Sequence, residues 1–423
     1  MASEEMLHID GGTRLRGEVT VQGSKNAVLP MLAASLLAEK GETVWHRVPP
    51  VKDVLVGIEM LRRLGAKVQY TPEEGSVVID ASTVNRTDLP DDLSSRFRAS
   101  ILFVGPLLSR FRTAAIKEVG GCSIGHRPWD YHERGFARLG AKVCPTAGGG
   151  FSISAEALNG SFMYCDVPSH TGVENMIMAA SLARGESLIE NAASDPEIVD
   201  FVELLTKMGA KVEGAGTRTV RITGVKKLRG AEHTVMHDRL DAGMLMMASA
   251  ITAGDVQLRG VGCTHLRVFE AKLHQMGVTT KENCESTRIR APKKLSPINV
   301  VTTYYPGFPT DLQPGIMALA CVADGDSFIR ETVFEDRLGH VKSLRAFGAR
   351  LSPEKDRLVI VHGPAKLTGT RVKALDIRAG VACVLAGLAA EGTTSVYNLY
   401  QLDRGHAFLE ERLGALGAKM QRL

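Results

Sequence analysis

The sequence predicts an α/β protein of two domains, each built from three repeated units with helices inside and sheets outside. Three observations carry this. Six times an amphipathic helical pattern ends on an apolar residue followed by Gly, at Gly65, Gly140, Gly209, Gly277, Gly348 and Gly417, at intervals of 75, 69, 68, 71 and 69 residues. Each unit also holds a second helix candidate, apolar around most of its circumference and almost uncharged, which is the pattern of a buried helix. Finally, 423 residues in six units of about 70 exceed one ordinary core, whereas three units make a domain of normal size.

In chain order, residues 6–21 carry strand patterns with no surface helix of their own, and are expected to pair with strands from the C-terminal half. Buried helices are expected over 26–38, 99–108, 175–183, 242–253, 312–323 and 379–390. A turn and a short strand follow, as in Gly185–Ile189 and Gly392–Val396. The amphipathic helices then run to the capping glycines, where Gly takes the left-handed conformation at little steric cost. The expected domain boundaries place 1–24 with 237–423 in one domain and 25–236 in the other.

Composition excludes several classes of function. A hydrophobic content of 44% with 23% charged residues is an ordinary soluble balance, and a net charge of +4 is too small for a dedicated nucleic-acid binder. Cysteines at 122, 144, 165, 263, 284, 321 and 383 form no CxxC pair, which argues against a zinc site or a disulfide framework and for a reducing compartment. His233, His237 and His274 lack metal-ligand spacing, so neither metal nor cofactor is expected. Cys144, Cys165, Cys263, Cys321 and Cys383 read as small core or near-core residues. The acidic N-terminus has no apolar core and no apolar run is long enough to cross a bilayer, so a cytoplasmic protein without membrane contact is expected.

The stretch Val119–Asp130, with three glycines and a proline in twelve residues, reads as a loop around one thiol, Cys122. Lys117, His126 and Arg127 lie close in sequence, and positive charge favours the reactive thiolate. The starts of the buried helices carry a second signal. Asp238, Thr310 and Asp376 are expected as N-caps. Lys25, Arg98, Arg239 and Arg378 are different, because a cation at a helix N-terminus opposes the macrodipole. Their recurrence points to bound anions, and a polyanion pocket between the two domains is the expectation.

The strings Gly23-Ser24-Lys25-Asn26-Ala27, Arg98-Ala99-Ser100, Gly120-Gly121-Cys122-Ser123-Ile124-Gly125, Arg127-Pro128, residues 190–200, residues 306–313, Glu331-Thr332-Val333-Phe334-Glu335 and Asp403-Arg404-Gly405 together resemble the UDP-N-acetylglucosamine branch of the enolpyruvyl transferase family. The resemblance covers essentially the whole chain. It implies a pair of inside-out α/β barrel domains with threefold pseudosymmetry and parallel buried helices. The implied reaction moves enolpyruvyl from phosphoenolpyruvate to the 3-hydroxyl of UDP-N-acetylglucosamine and releases phosphate, opening peptidoglycan synthesis. Lys25, Arg127 and Arg404 match the cations that hold phosphoenolpyruvate, with Arg98, Arg337 and Arg378 alongside. Cys122 matches the general acid and Asp311 the residue held against the sugar hydroxyl, which Asn26 also touches. Arg127, Pro128, Trp129, Asp130 and Tyr131 are implied to hold uracil, Ser169 the diphosphate and Val333 the N-acetylglucosamine. The implied partners are these two small molecules alone, with no cofactor; oligomeric state does not follow.

Five positions depart from the family pattern. Trp129 replaces a small aliphatic residue, His170 lies in a Pro-Ser-His-Thr-Gly segment in place of Ser-Val-Gly, and Val167 stands where some members have Lys. Gln401 stands where His is frequent, and His406 where Tyr is usual. These leave open an acceptor other than UDP-N-acetylglucosamine, such as UMP. Transfer to shikimate 3-phosphate ranks lower, since it uses no cysteine loop of this kind. A catalytically silent paralogue is opposed by the joint presence of Lys25, Cys122, Asp311 and Arg404.

Overall fold

The computed structural model describes residues 5–120, 129–146, 149–283 and 285–423. Among these, 5–22 with 237–423 form one compact unit, and 23–120 with 129–236 another.

The first unit carries three four-stranded sheets of the same topology, one parallel pair followed by two antiparallel pairs. Met6–Asp10 runs antiparallel to both Thr393–Tyr397 and Lys419–Arg422, and Arg371–Lys373 lies parallel to Thr393–Tyr397. Arg16–Thr20 lies parallel to Asp255–Arg259, which continues antiparallel into Ser286–Arg290 and Thr279–Glu282. The N-terminal segment therefore completes two sheets of the C-terminal half, as its strand pattern predicted. The third sheet joins Asn299–Val301, Asp326–Arg330, Leu358–His362 and Arg350–Pro353. The second unit repeats this order in its sheets, with Thr113–Ile116, Phe151–Ser154 and Lys142–Pro145 forming a shorter one. Strands such as Leu358–His362 alternate buried and half-buried residues, so one face of each sheet is available to a helix.

That face is covered from within. Arg239–Ile251 and Gln313–Cys321 are buried at every residue, and Ile377–Ala389 at all but its last. These three helices touch one another, and each lies on its own sheet. In the second unit Lys25–Ala34, Val104–Phe111 and His170–Ala180 take the same places. The apolar circumference of each helix follows from being enclosed on all sides. No helix among the described residues is long and apolar enough to cross a membrane.

All six predicted capping glycines adopt positive φ, between 91° and 106°. The buried helices differ from expectation in their bounds. Residues 99–103, predicted as part of an α-helix over 99–108, belong to a 3-10 helix, Arg98–Phe103, that passes into Val104–Phe111. Pro106 has no N–H to reach the Leu102 carbonyl, so the α-helical ladder begins only beyond it. His170–Ala180 starts five residues earlier than predicted, because Ser169 caps it by accepting from Gly172 N at 3.2 Å.

The helices Val104–Phe111 and His170–Ala180 cross closely at Gly105. Its N–H donates to Asn175 Oδ1 at 2.9 Å. A Cβ there would lie 2.1 Å from Asn175 Oδ1 and 2.7 Å from the Asn175 carbonyl oxygen. The same Asn175 donates from Nδ2 to Ile101 O at 2.8 Å and to His132 Nδ1 at 2.9 Å, so buried His132 is a neutral acceptor on that nitrogen. Burial, reinforced by Arg98, pushes the His132 pKa down to about 3. Burial likewise pushes His340 down to about 4, with Asp376 opposing and Arg337 adding.

Two predictions follow from this packing. Gly105→Ala is expected to destabilise by about 2 kcal/mol through overpacking. Gly414→Ala, with no atom within 4 Å of its added Cβ, is expected to stabilise its helix by about 0.5–1 kcal/mol. Chemical denaturation of both variants checks this, and a neutral Gly105→Ala would refute the close crossing. The second concerns pH. In the unfolded chain His132 and His340 titrate near 6.5, whereas in the fold they stay neutral to far lower pH. Their contribution is thus complete above about 6.5 and is lost as pH falls toward 4 and 3, at about 1.4 kcal/mol per pH unit for each. Thermal unfolding midpoints should fall over that window, and more shallowly in His132→Gln; an unchanged slope in that variant would remove His132 from the explanation.

Candidate active site

At one end of the first unit, side chains tie together the N-termini of the three buried helices. Asp238 accepts from Leu240 N and Asp241 N at 2.8 and 3.1 Å, and Asp376 from Arg378 N and Ala379 N at 2.7 and 2.9 Å, so both are the predicted caps. Thr310 is not. It opens the 3-10 turn Thr310–Leu312, and its hydroxyl donates to Glu331 Oε2 at 2.9 Å and accepts from Arg337 Nη1 at 3.2 Å, in a side-chain network instead of a cap. Beside it, Asp311 receives two arginines. Arg378 donates from Nε and Nη2 to Oδ2 at 3.1 and 3.0 Å, and Arg337 Nη2 lies 2.7 Å from Oδ1.

The exposures of these groups differ in a telling way. The Arg337 and Arg378 side chains are 6% and 8% exposed, whereas Asp311 is 27% exposed. Cations are rarely buried to that degree without a partner. Here a carboxylate covers the guanidiniums and keeps its own face open. Arg337 Nε, also buried, has no hydrogen-bond partner among the described residues. Arg404 is buried and donates to Gln401 Oε1 at 3.1 Å. Arg239 lies over the Tyr305 ring. Glu331, fully buried, accepts from Thr302 Oγ1, Val333 N and Phe334 N at 2.9, 2.8 and 3.1 Å, and so fixes the backbone that presents Val333.

In the second unit, Ser24 caps Lys25–Ala34 by accepting from Ala27 N at 3.3 Å. Lys25, the first residue of that helix, is buried with Nζ 3.3 Å from Asp53 Oδ2, and Asn26 is half-buried. Arg98 opens the 3-10 helix that packs on Lys25–Ala34. Cations at helix starts suggested external anions alone. The structure amends that: Lys25 and Arg378 each face a carboxylate of the chain itself, which offsets part of the cost of placing them there.

Of the residues predicted to hold uracil, Trp129, Asp130 and Tyr131 already have partners within the unit. Trp129 stacks on Phe151, with ring centroids 4.6 Å apart and 20° between planes. Asp130 pairs with Arg134 at 2.8 Å, and the Tyr131 hydroxyl accepts from Val167 N at 2.9 Å. Next to the Ser169 cap, His170 Nδ1 lies 3.3 Å from Glu174 Oε1. Donor atoms of His170, Asp195 and Glu197 all lie within 4.8 Å of one another, the arrangement among the described residues best suited to a cation. Burial works against a charge on His170, but Glu174, Asp195 and Glu197 outweigh it and lift its pKa to about 10. The imidazolium thus supplies positive charge at that place itself.

Cys122, Arg127 and Pro128 lie outside the described residues, as do Cys284 and the side chain of Cys263. Lys117, expected to act on the Cys122 thiol, pairs with Asp91 at 2.7 Å on the surface. Cys165, Cys321 and Cys383 are buried, and burial pushes their thiols up to about 11, 12 and 12; Cys144 is half-buried. Three groups escaped the sequence reading: Asp53 under Lys25, Glu331 as a hub, and a chain from Arg378 through His406 to Asp241 and Arg412. None sits at a periodic spacing from its partner. Of that chain, the sequence marks only Arg378, a cation at a helix start, and His406, where the family has Tyr.

The chain is similar to known proteins along essentially its whole length. The family described as EPSP synthase (3-phosphoshikimate 1-carboxyvinyltransferase) matches residues 9–413. A UDP-N-acetylglucosamine 1-carboxyvinyltransferase of Thermobifida fusca is 46% identical over 100% of this chain and 99% of its own. A UDP-N-acetylglucosamine 1-carboxyvinyltransferase 1 of Halalkalibacterium halodurans is 46% identical over 99% and 94%. Among solved structures, the enolpyruvyl transferase NikO of Streptomyces tendae superposes with a TM-score of 0.89 at 26% identity, covering 99% of both chains. An EPSP synthase of Acinetobacter baumannii gives 0.76 at 19% identity over the full length of both, a likeness of fold. With buried arginines gathered on a carboxylate at converging helix starts and relatives of this kind along its whole length, the chain belongs to the EPSP synthase family of enolpyruvyl transferases.

Proposed function

We propose that this chain transfers the enolpyruvyl group of phosphoenolpyruvate to the 3-hydroxyl of UDP-N-acetylglucosamine and releases inorganic phosphate, the opening step of peptidoglycan synthesis. The observation that carries the reading is the half-open Asp311 carboxylate oriented by buried Arg337 and Arg378. The activity for which the full-length relatives are named selects the acceptor.

The chemistry divides among residues as follows. Phosphoenolpyruvate carries a carboxylate and a phosphate, and Lys25, Arg127 and Arg404 hold them, with Arg98, Arg337 and Arg378 alongside. Cys122 gives a proton to C3, and C2 becomes electrophilic. The sugar 3-oxygen then bonds to C2 and its proton passes to Asp311. A C3 proton then returns to the Cys122 thiolate as the C2–O bond to phosphate breaks, which yields the enol ether and restores the thiol. Fixed guanidiniums in a water-poor setting stabilise the departing phosphate more than water can, because they need no reorganisation. Asn26 and Val333 contact the sugar, Ser169 the diphosphate, and Arg127, Pro128, Trp129, Asp130 and Tyr131 the uracil. The cysteine usage, which argues for a reducing compartment, supports a cytoplasmic protein. The likeness to NikO and the presence of His170 beside the Ser169 cap support a second reading, a different nucleotide as acceptor.

Phosphate release from phosphoenolpyruvate tests both readings. Release is expected with UDP-N-acetylglucosamine; release with UMP alone would establish the second reading, and release with neither would contradict both. Cys122→Ala is expected to lower turnover by about 100-fold or more, as loss of a general acid does. The same variant should resist alkylation by an epoxide analogue of phosphoenolpyruvate, read by intact-protein mass; undiminished labelling would show that another thiol reacts.

A further inference from the structure

Arg378 uses a third nitrogen that Asp311 does not meet. Its Nη1 lies 3.3 Å from His406 Nε2. A guanidinium has only donors, so Nε2 must present its lone pair. Across the ring, Nδ1 lies 3.1 Å from Asp241 Oδ1. Asp241 is fully buried, and Arg412 donates to both its oxygens, at 3.0 and 2.5 Å. Burial opposes its charge, but Arg412 and His406 outweigh burial and hold the Asp241 carboxyl below the usual carboxylate range. Nδ1 therefore carries the hydrogen. The two partners fix His406 as a neutral imidazole of the Nδ1–H tautomer.

The groups facing His406 agree. Burial, Arg378 and Arg412 disfavour a second proton on the ring, and Asp241 alone favours one; the net direction is downward. The backbone on either side of His406 is fixed by one residue: Gln22 Nε2 donates to Gly405 O at 2.8 Å and Gln22 Oε1 accepts from Ala407 N at 3.1 Å. The ring is thus held by its own main chain and by Asp241 before it touches Arg378.

We propose that His406 is a positioning residue for phosphoenolpyruvate binding, whose Nε2 lone pair sets the orientation of the Arg378 guanidinium. This rests on the reading that Arg378 meets phosphoenolpyruvate. The choice of group has a physical reason. Asp311, with Asp238 and Asp376 nearby, already opposes the Arg378 charge, and a further carboxylate bonded to Nη1 would leave still less of it for the substrate anion. A neutral acceptor orients the guanidinium and leaves its charge in place.

Three variants compared with the wild-type enzyme in one assay test this. His406→Phe keeps a flat aromatic ring, somewhat larger than imidazole, and loses both hydrogen bonds; it is expected to raise the KM for phosphoenolpyruvate about tenfold, the scale of one charge-assisted hydrogen bond. The KM for UDP-N-acetylglucosamine should stay unchanged. His406→Gln, which can accept on one side and donate on the other, should stay within about threefold of wild type by the same reckoning. An unchanged phosphoenolpyruvate KM in His406→Phe, or a parallel rise for both substrates, would overturn the proposal. Arg378→Ala separates the two levels. If it raises the phosphoenolpyruvate KM while His406→Phe does not, the positioning role alone fails; if it leaves that KM unchanged, the reading of Arg378 fails and the proposal with it. Should His406→Phe not fold, the wild-type protein labelled with 15N-histidine decides, with His406→Gln identifying the signal. A neutral Nδ1–H tautomer is expected, and an imidazolium or an Nε2–H tautomer would overturn the proposal.

Discussion

One carboxylate between two buried guanidiniums is the constraint on which the first unit's chemistry depends. Asp311 Oδ1 and Oδ2 each take an arginine, and those arginines come from different repeats. Burying a cation away from water is costly unless a partner offsets it. Asp311 stabilises Arg337 and Arg378 where water could not, and the arginines in turn fix the direction of its oxygens. Removing the carboxylate would therefore do more than delete the proposed proton acceptor, since it would leave two charges buried without that partner.

The repeat explains why such a cluster can exist. Each helix inside the unit is enclosed on all sides and offers the surface only its ends. The tie from Asp311 through Arg378 and His406 to Asp241 joins the starts of all three helices, so those starts lie at one end. Helix N-termini present unsatisfied N–H groups and partial positive charge. Asp238 and Asp376 satisfy two of them, and buried arginines add full charges beside them. An end rich in donors is suited to a substrate that is itself an anion.

Much of this was legible in the residues. The six glycines gave the repeat because a left-handed cap is a local requirement that leaves a local mark, and all six have the φ it demands. The apolar helices were legible because enclosure on every side removes charge from every side. The strand pairing of residues 6–10 and 16–20 followed from their lack of a helix of their own. What stayed hidden is what tertiary structure adds. Asp241 meets His406 across 165 residues and Arg412 across 171, and no spacing rule reaches so far. Thr310 looked like a cap because hydroxyls at helix starts usually are; Glu331 and Arg337, closer in space than in sequence, claimed it instead. Residues 99–103 looked α-helical because apolar pattern does not register the hydrogen bond that Pro106 cannot make.

The central claim is that the arginine-bound carboxylate presides over carbon–oxygen bond formation at a sugar hydroxyl. Its most direct measurement is the structure of the nucleotide product after incubation with phosphoenolpyruvate and UDP-N-acetylglucosamine, read by mass and by proton NMR. Enolpyruvyl transfer predicts a vinyl ether on the 3-oxygen of the sugar, formed one for one with phosphate. Unaltered UDP-N-acetylglucosamine beside intact phosphoenolpyruvate would contradict it.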